Sequence, residues 1–223
     1  MNQKSVILFA SMLCLLLSCS QESETIYSCD RTINEWAKSN LEDIQTMTRS
    51  NWLALPDNKK NAAYRAFTPS QKINFWYEKL EEIKSCEWTE DELSHINKVI
   101  YFIDSHHDIF SGGALSDVQE DELDKFFYLW TNYAIEDLGW TIETCIAIAG
   151  TGKQIPSPKR GPYPFVDGPS EKKDCHCNTG ILSDFCGSAG PCFSGNCEEL
   201  SDGCGWFLRQ KCDGRCYHAA IVN

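Results

Sequence analysis

Eight cysteines crowd the last fifty residues, spaced C-x-C-x8-C-x5-C-x4-C-x6-C-x7-C-x3-C: Cys175, Cys177, Cys186, Cys192, Cys197, Cys204, Cys212 and Cys216. Gly180, Gly187, Gly190, Gly195, Gly203, Gly205 and Gly214 are scattered among them, with little aliphatic material between. A segment of this size and composition has too few apolar side chains for an ordinary core and needs covalent staples or a metal to hold a shape. Which of the two applies depends on the compartment.

The amino terminus points to export. Lys4 precedes an apolar run from Val6 to Leu17. That is the length of a signal-peptide core and short of the roughly 20 apolar residues that span a bilayer. Leu16-Leu17-Ser18-Cys19 resembles a bacterial lipobox, which assigns residues 1–18 to a lipoprotein-type signal peptide, lipid attachment to Cys19 and a polar tether to residues 19–27. Plain secretory cleavage is the competing reading. A lipid on Cys19 places the protein in the bacterial cell envelope, at the outer membrane or cell surface. Such compartments oxidise thiols, so the Cys-rich tail reads as disulfides, whereas in the cytosol it would suggest zinc.

Charge narrows the partners. Residues 30–150 carry a net −11, residues 151–173 a net +3 and residues 174–223 a net −3. Without a basic patch there is no means of neutralising phosphates, so no nucleic acid is expected, and anionic lipids offer no attraction. Membrane contact is expected through the lipid alone.

Residues 28–150 read as helices. Ile33, Trp36, Ala37, Leu41, Ile44 and Met47 recur at three- and four-residue spacing after Asp30. Pro56-Asp57 opens a short helix carrying Ala62, Ala63, Arg65 and Ala66. Thr68-Pro69-Ser70-Gln71 and Thr89-Glu90-Asp91-Glu92 are capping boxes, each followed by a helical apolar stripe. Ser116 caps a long element through Ala134, and Gly139 divides it from a last helix through Ile142, Cys145 and Ile146. The expected fold is an all-α helical bundle with antiparallel neighbours, followed by a small disulfide-rich, Gly-rich C-terminal module.

Little in the helical region carries chemistry. His106-His107-Asp108 is the one grouping suited to metal or catalysis, but adjacent helical residues diverge by about 100°, and a polar helix end is the simpler reading. Trp36, Trp52, Trp76, Trp88, Trp130 and Trp140 can line a groove, although core filling explains most of them. Cys29, Cys86 and Cys145 are odd in number, so at least one stays free or pairs outside the region. Cys145, on an apolar helix face, most resembles an inert core thiol. No nucleophile elbow, HExxH, Walker or dinucleotide pattern occurs, so neither enzyme activity nor a cofactor is expected.

Residues 151–173 form a Pro/Gly/basic linker in which Pro156, Pro158, Gly161, Pro162, Pro164, Gly168 and Pro169 break regular structure. Lys159-Arg160 and Lys172-Lys173 are dibasic candidate processing sites, the second directly ahead of the tail. In the tail, residues 174–223, Cys175 and Cys177 are too close to bridge each other and should reach different distant partners. Trp206, Phe207 and Leu208 are either a mini-core or an exposed recognition surface. Zinc remains the alternative to disulfides, but the paired C-x2-C knuckles of structural zinc sites are missing and His176 sits in too tight a spacing, so no metal is expected.

The opening Cys175-His176-Cys177, the five-residue gap between Cys186 and Cys192 and Gly203-Cys204-Gly205-Trp206 resemble the bacteriocin fulvocin C-related family. The likeness covers about fifty residues, and the last pair departs from it: Cys212 and Cys216 enclose three residues where that bacteriocin has a C-x-C ending. The resemblance implies an antimicrobial, toxin-like activity carried by the tail and released by cleavage in the linker, with the eight cysteines as scaffold. A tail of net −3 is not a cationic pore former, so a protein receptor on the target cell is the expected partner, alongside an immunity or processing protein. The alternative function is a cell-surface lipoprotein binding or adhesion module, with the tail as a structural or recognition knot.

Overall fold

The computed structural model describes residues 25–154, 174–180, 186 and 191–216. The expected signal peptide, the expected lipid site Cys19 and the candidate processing residues Lys159, Arg160, Lys172 and Lys173 lie outside these. Eight helices occupy the first stretch: α1 (Arg31–Ser39), α2 (Leu41–Ile44), α3 (Arg49–Leu53), α4 (Asp57–Ala66), α5 (Pro69–Lys84), α6 (Glu90–Ser105), α7 (Asp117–Glu136) and α8 (Ile142–Ala149). A 3-10 turn, His107–Phe110, separates α6 from α7. No helix among the described residues is long and apolar enough to cross a membrane.

The helix starts follow from local chemistry. Thr68 and Thr89 accept hydrogen bonds from the backbone N–H of Gln71 and Glu92, whose side chains in turn accept from the backbone N–H of the threonines. Ser116 and Gln119 repeat the arrangement at α7. Each box satisfies donors that a helix end leaves unpaired. Thr48 and Asn51 form a fourth box at α3, which the sequence reading passes over. The stripe from Ile33 to Met47 is not one helix, because it breaks at Asn40, whose side-chain amide donates back to the Trp36 carbonyl.

In the tail, β1 (Cys192–Ser194) pairs antiparallel with β4 (Gly214–Cys216), and β2 (Leu200–Cys204) pairs antiparallel with β3 (Gln210–Cys212). Four disulfides hold these ribbons: Cys175–Cys197, Cys177–Cys192, Cys186–Cys216 and Cys204–Cys212. Cys175 and Cys177 do reach separate, distant partners. Four such bridges mark a chain that matures in an oxidising compartment.

The tail also has an apolar core, and that core belongs to the helices. Trp206 and Phe207 are buried in the same cluster as Trp76, Phe102, Phe110, Phe127 and Trp130. Trp206 stacks on Phe127 with centroids 4.1 Å apart and planes 8° from parallel. Phe207 meets Trp76 at 5.2 Å, Phe127 at 5.1 Å and Phe110 at 5.4 Å. In the intact chain Trp206 and Phe207 are therefore core and not exposed surface: aromatic area of this size gains more from the helical core than the Cys and Gly around it can supply. Leu208 is half-buried beside them.

Phe207→Ala should therefore unfold the helical region as well as loosen the tail, lowering stability by about 3–5 kcal/mol. Phe193→Ala, on a side chain 53 % exposed, serves as the control and should cost well under 1 kcal/mol. Urea titration followed by tryptophan fluorescence and by far-UV circular dichroism reads both. A Phe207→Ala helical signal with an unchanged midpoint would contradict the shared core.

Candidate functional site

The chemistry of this chain gathers where the tail enters the helical body. Asp202, on β2, is buried between three cations. Its carboxylate lies 2.5 Å from Arg209 Nη1, 3.2 Å from Lys72 Nζ and 3.5 Å from Arg65 Nε. Arg65 Nε also donates to the Asp202 carbonyl at 2.8 Å, and its Nη1 to the Tyr27 carbonyl at 3.0 Å. Arg209 extends the other way, donating to the carbonyls of Ile109, Ser111 and Gly113 at 2.6, 2.8 and 2.9 Å. Those carbonyls belong to the α6–α7 connection, so one tail side chain fixes the whole turn. Asp174 supplies a second carboxylate, accepting from Ser28 Oγ at 2.8 Å and Cys29 N–H at 2.7 Å, with Arg65 3.9 Å away.

Between these charges the backbone takes an uncommon path. Phe207 and Leu208 both lie in the left-handed region, at φ 53° and 54°. Two successive non-Gly residues there cost free energy that the surroundings must offset. The Phe207 carbonyl receives Tyr64 Oη at 2.7 Å and Trp76 Nε1 at 3.1 Å, so the turn is held by two buried donors on α4 and α5. Burial raises the Tyr64 phenol well above its ordinary pKa, keeping it a donor. Gly203 lies at φ +105°, where a Cβ would approach Arg65 Nη2 to 2.5 Å, so the close guanidinium–backbone contact needs glycine.

A second group of cations holds the far end of the helical region. Arg49 donates to the Gly152 carbonyl from Nε at 3.2 Å and Nη2 at 3.0 Å, and pairs with Glu82 at 2.7 Å. Lys79, wholly buried, donates to the Lys153 carbonyl at 2.5 Å. Beside this point a cleft of about 100 Å³ runs between the halves, lined by Trp52, Lys60 and Asn61 on one side and by His176, Gly203 and Leu208 on the other.

The other residues singled out in the sequence are structural. His106 ends α6, its ring Nδ1 2.9 Å from the Phe102 carbonyl and stacked on Phe102, while Asp108 accepts from Gln119. Trp52, Trp76, Trp130 and Trp140 fill the core, with Trp36 and Trp88 packed at its edge. Cys29 and Cys145 are free thiols, and burial raises Cys29, Cys86 and Cys145 above the ordinary thiol range, Cys29 and Cys145 to about 12, which makes them poor nucleophiles. The sulfurs of Cys177, Cys186 and Cys192 lie within 4.8 Å of one another, but each is joined in a disulfide, and a metal would need the thiolates those bridges consume. His95 passes unnoticed in the sequence because it fits an apolar stripe; its ring stacks on Trp130 at 5.0 Å, and the two side chains bond each other's backbone carbonyls.

No family model, curated protein or solved structure matches this chain.

Two outcomes follow from the buried charges. Asp202→Asn leaves Arg65, Lys72 and Arg209 without their shared carboxylate and should cost about 3–5 kcal/mol in urea unfolding. The second concerns pH. Burial lowers Lys79 to about 7, with the Arg49 charge adding to the effect, and lowers Lys72 to about 8. The unfolded chain keeps both amines protonated toward their ordinary 10.5, so above pH 7 it binds protons that the folded protein has shed. Stability should rise by about 1–2 kcal/mol between pH 7 and 8.5. Above pH 9 the rise should flatten and, as pH approaches the ordinary lysine value, reverse, because Cys29 and Cys145 stay protonated to about 12 in the fold but ionise when free. Lys79→Met should flatten the lower part of the rise; an unchanged slope in that variant would remove Lys79 as its source.

Proposed function

We propose that this chain is an exported, bacteriocin-like protein whose Cys-rich tail carries a toxin-related activity, anchored to the cell envelope through a lipid on Cys19. The observation that carries this reading is the storage of Trp206 and Phe207, two aromatic side chains of the tail, inside the helical region, with Phe207 on a left-handed backbone. A disulfide frame that keeps its apolar loop out of solvent can be soluble while tethered and present that loop to a receptor once freed. The frame is acidic, which favours a specific protein receptor over lipid disruption. In this reading the eight cysteines are scaffold, the antiparallel packing of the helices is a carrier bundle, and processing falls at Lys159-Arg160 or Lys172-Lys173.

The cleft between His176 and Lys60 favours a second reading, a cell-surface binding module in which both halves together form the ligand site. The two differ in what cleavage does. Natively isolated protein is analysed by mass spectrometry for the lipid, the termini and the bridge count, and its intact and processed forms are then applied to related strains. The bacteriocin-like reading expects growth inhibition that increases when the processed tail is released from the helical region and disappears on reduction of the disulfides. Four-bridged tail, processed and released, that inhibits nothing across a broad panel, yet still coats cells, would replace it with the binding module.

A further inference from the structure

Arg65 and Lys72 are buried cations on α4 and α5. The carboxylates beside them, Asp202 and Asp174, both come from the tail. Tyr64 and Trp76, on the same two helices, point their donors at one tail carbonyl. Aromatic walls from α5, α6, the 3-10 turn and α7 close around one tail ring. A buried cation without its counter-ion costs several kcal/mol. Among the described residues, the carboxylates that meet Arg65 and Lys72 come from the tail alone. Among the same residues no disulfide joins the helical region to the tail: every bridge lies within the tail.

From this charge and shape complementarity we propose that the helical region is a binding domain for the tail, a non-covalent clamp that retains and masks it after the connecting segment is cut. Its ligand class is an acidic and aromatic loop held in a disulfide frame, with the carboxylate five residues ahead of the buried Phe, as Asp202 and Phe207 stand here. The same socket accepts the tail of a second copy, so the domain opposes its own product, much as a dedicated antidote does. The masking purpose rests on the bacteriocin-like reading above; the clamp itself does not.

The test uses the full oxidised chain with a site-specific protease sequence placed between Lys159 and Asp167. After cutting, the two fragments should co-elute on gel filtration at about 1 µM and physiological salt. A tail labelled on one nicked sample should transfer to unlabelled nicked protein. Tyr64→Phe removes one donor to the Phe207 carbonyl while keeping the ring, and should speed that transfer about five- to tenfold. Asp202→Asn should separate the fragments outright if it folds. Fragments that part on dilution without denaturant or reductant, or a Tyr64→Phe transfer rate equal to the parent's, overturn the clamp. Growth inhibition by the same samples separates the two proposals. A tail retained in the nicked parent but still inert once the Asp202→Asn or Tyr64→Phe variant lets it go leaves the clamp standing and removes the toxin reading, whereas a parent tail that parts freely and kills does the reverse.

Discussion

One carboxylate organises this molecule. Asp202 is the anion on which Arg65, Lys72 and Arg209 converge, and each of those cations goes on to fix something else. Arg65 ties down the amino-terminal segment at Tyr27, and Arg209 ties down the α6–α7 connection. Attraction in a low-dielectric interior repays the dehydration of such ions only when nearly every donor is used. The two guanidinium groups meet that demand by splitting their donors between the carboxylate and backbone carbonyls that would otherwise be unpaired. The cluster is therefore better regarded as a registration device than as a source of net stability. It sets where β2 sits against α4, and the aromatic packing follows from that placement.

The disulfides and the aromatic core divide the work. The bridges fall in two groups, one around Cys175, Cys204 and Cys212 and one around Cys177, Cys186 and Cys216. Each shortens the loops available to the unfolded tail, but none supplies apolar volume comparable with an aromatic ring. Cys204–Cys212 closes the loop that carries Trp206 and Phe207. That closure limits the conformations the loop can lose on entering the core, and so lowers the entropic cost of seating two large side chains.

Much of the helical region was legible because its signals are local. Thr68, Thr89 and Ser116 mark helix starts through side chains that reach only three residues, and Gly139 marks a stop through its own backbone. The break at Asn40 escaped because a stripe continuing on both sides outweighs one hydrogen bond to Trp36. The buried cations escaped for a different reason. Lys72 and Lys79 on a helix read as solvated positions, and what buries them lies far along the chain: Asp202 is 130 residues from Lys72, and the Lys153 carbonyl 74 from Lys79. Gly203-Cys204-Gly205-Trp206 stood out as a motif, yet its physical reason, room for the Arg65 guanidinium beside Gly203, needs a partner that no local pattern contains. Trp206 and Phe207 could be read either way, since spacing reveals an apolar cluster but not what covers it.

The Phe207 carbonyl is bonded by a tyrosine 143 residues earlier in the chain. Synthesis and export proceed from the amino end, so the helices emerge well before the residues that complete their interior. Until then the helices lack the tail's carboxylates for Arg65 and Lys72 and the ring that fills their aromatic centre. Contacts that wait on such distant partners also form slowly. Termination between Ala149 and Asp202 would leave a polypeptide with every helix start intact and no finished centre.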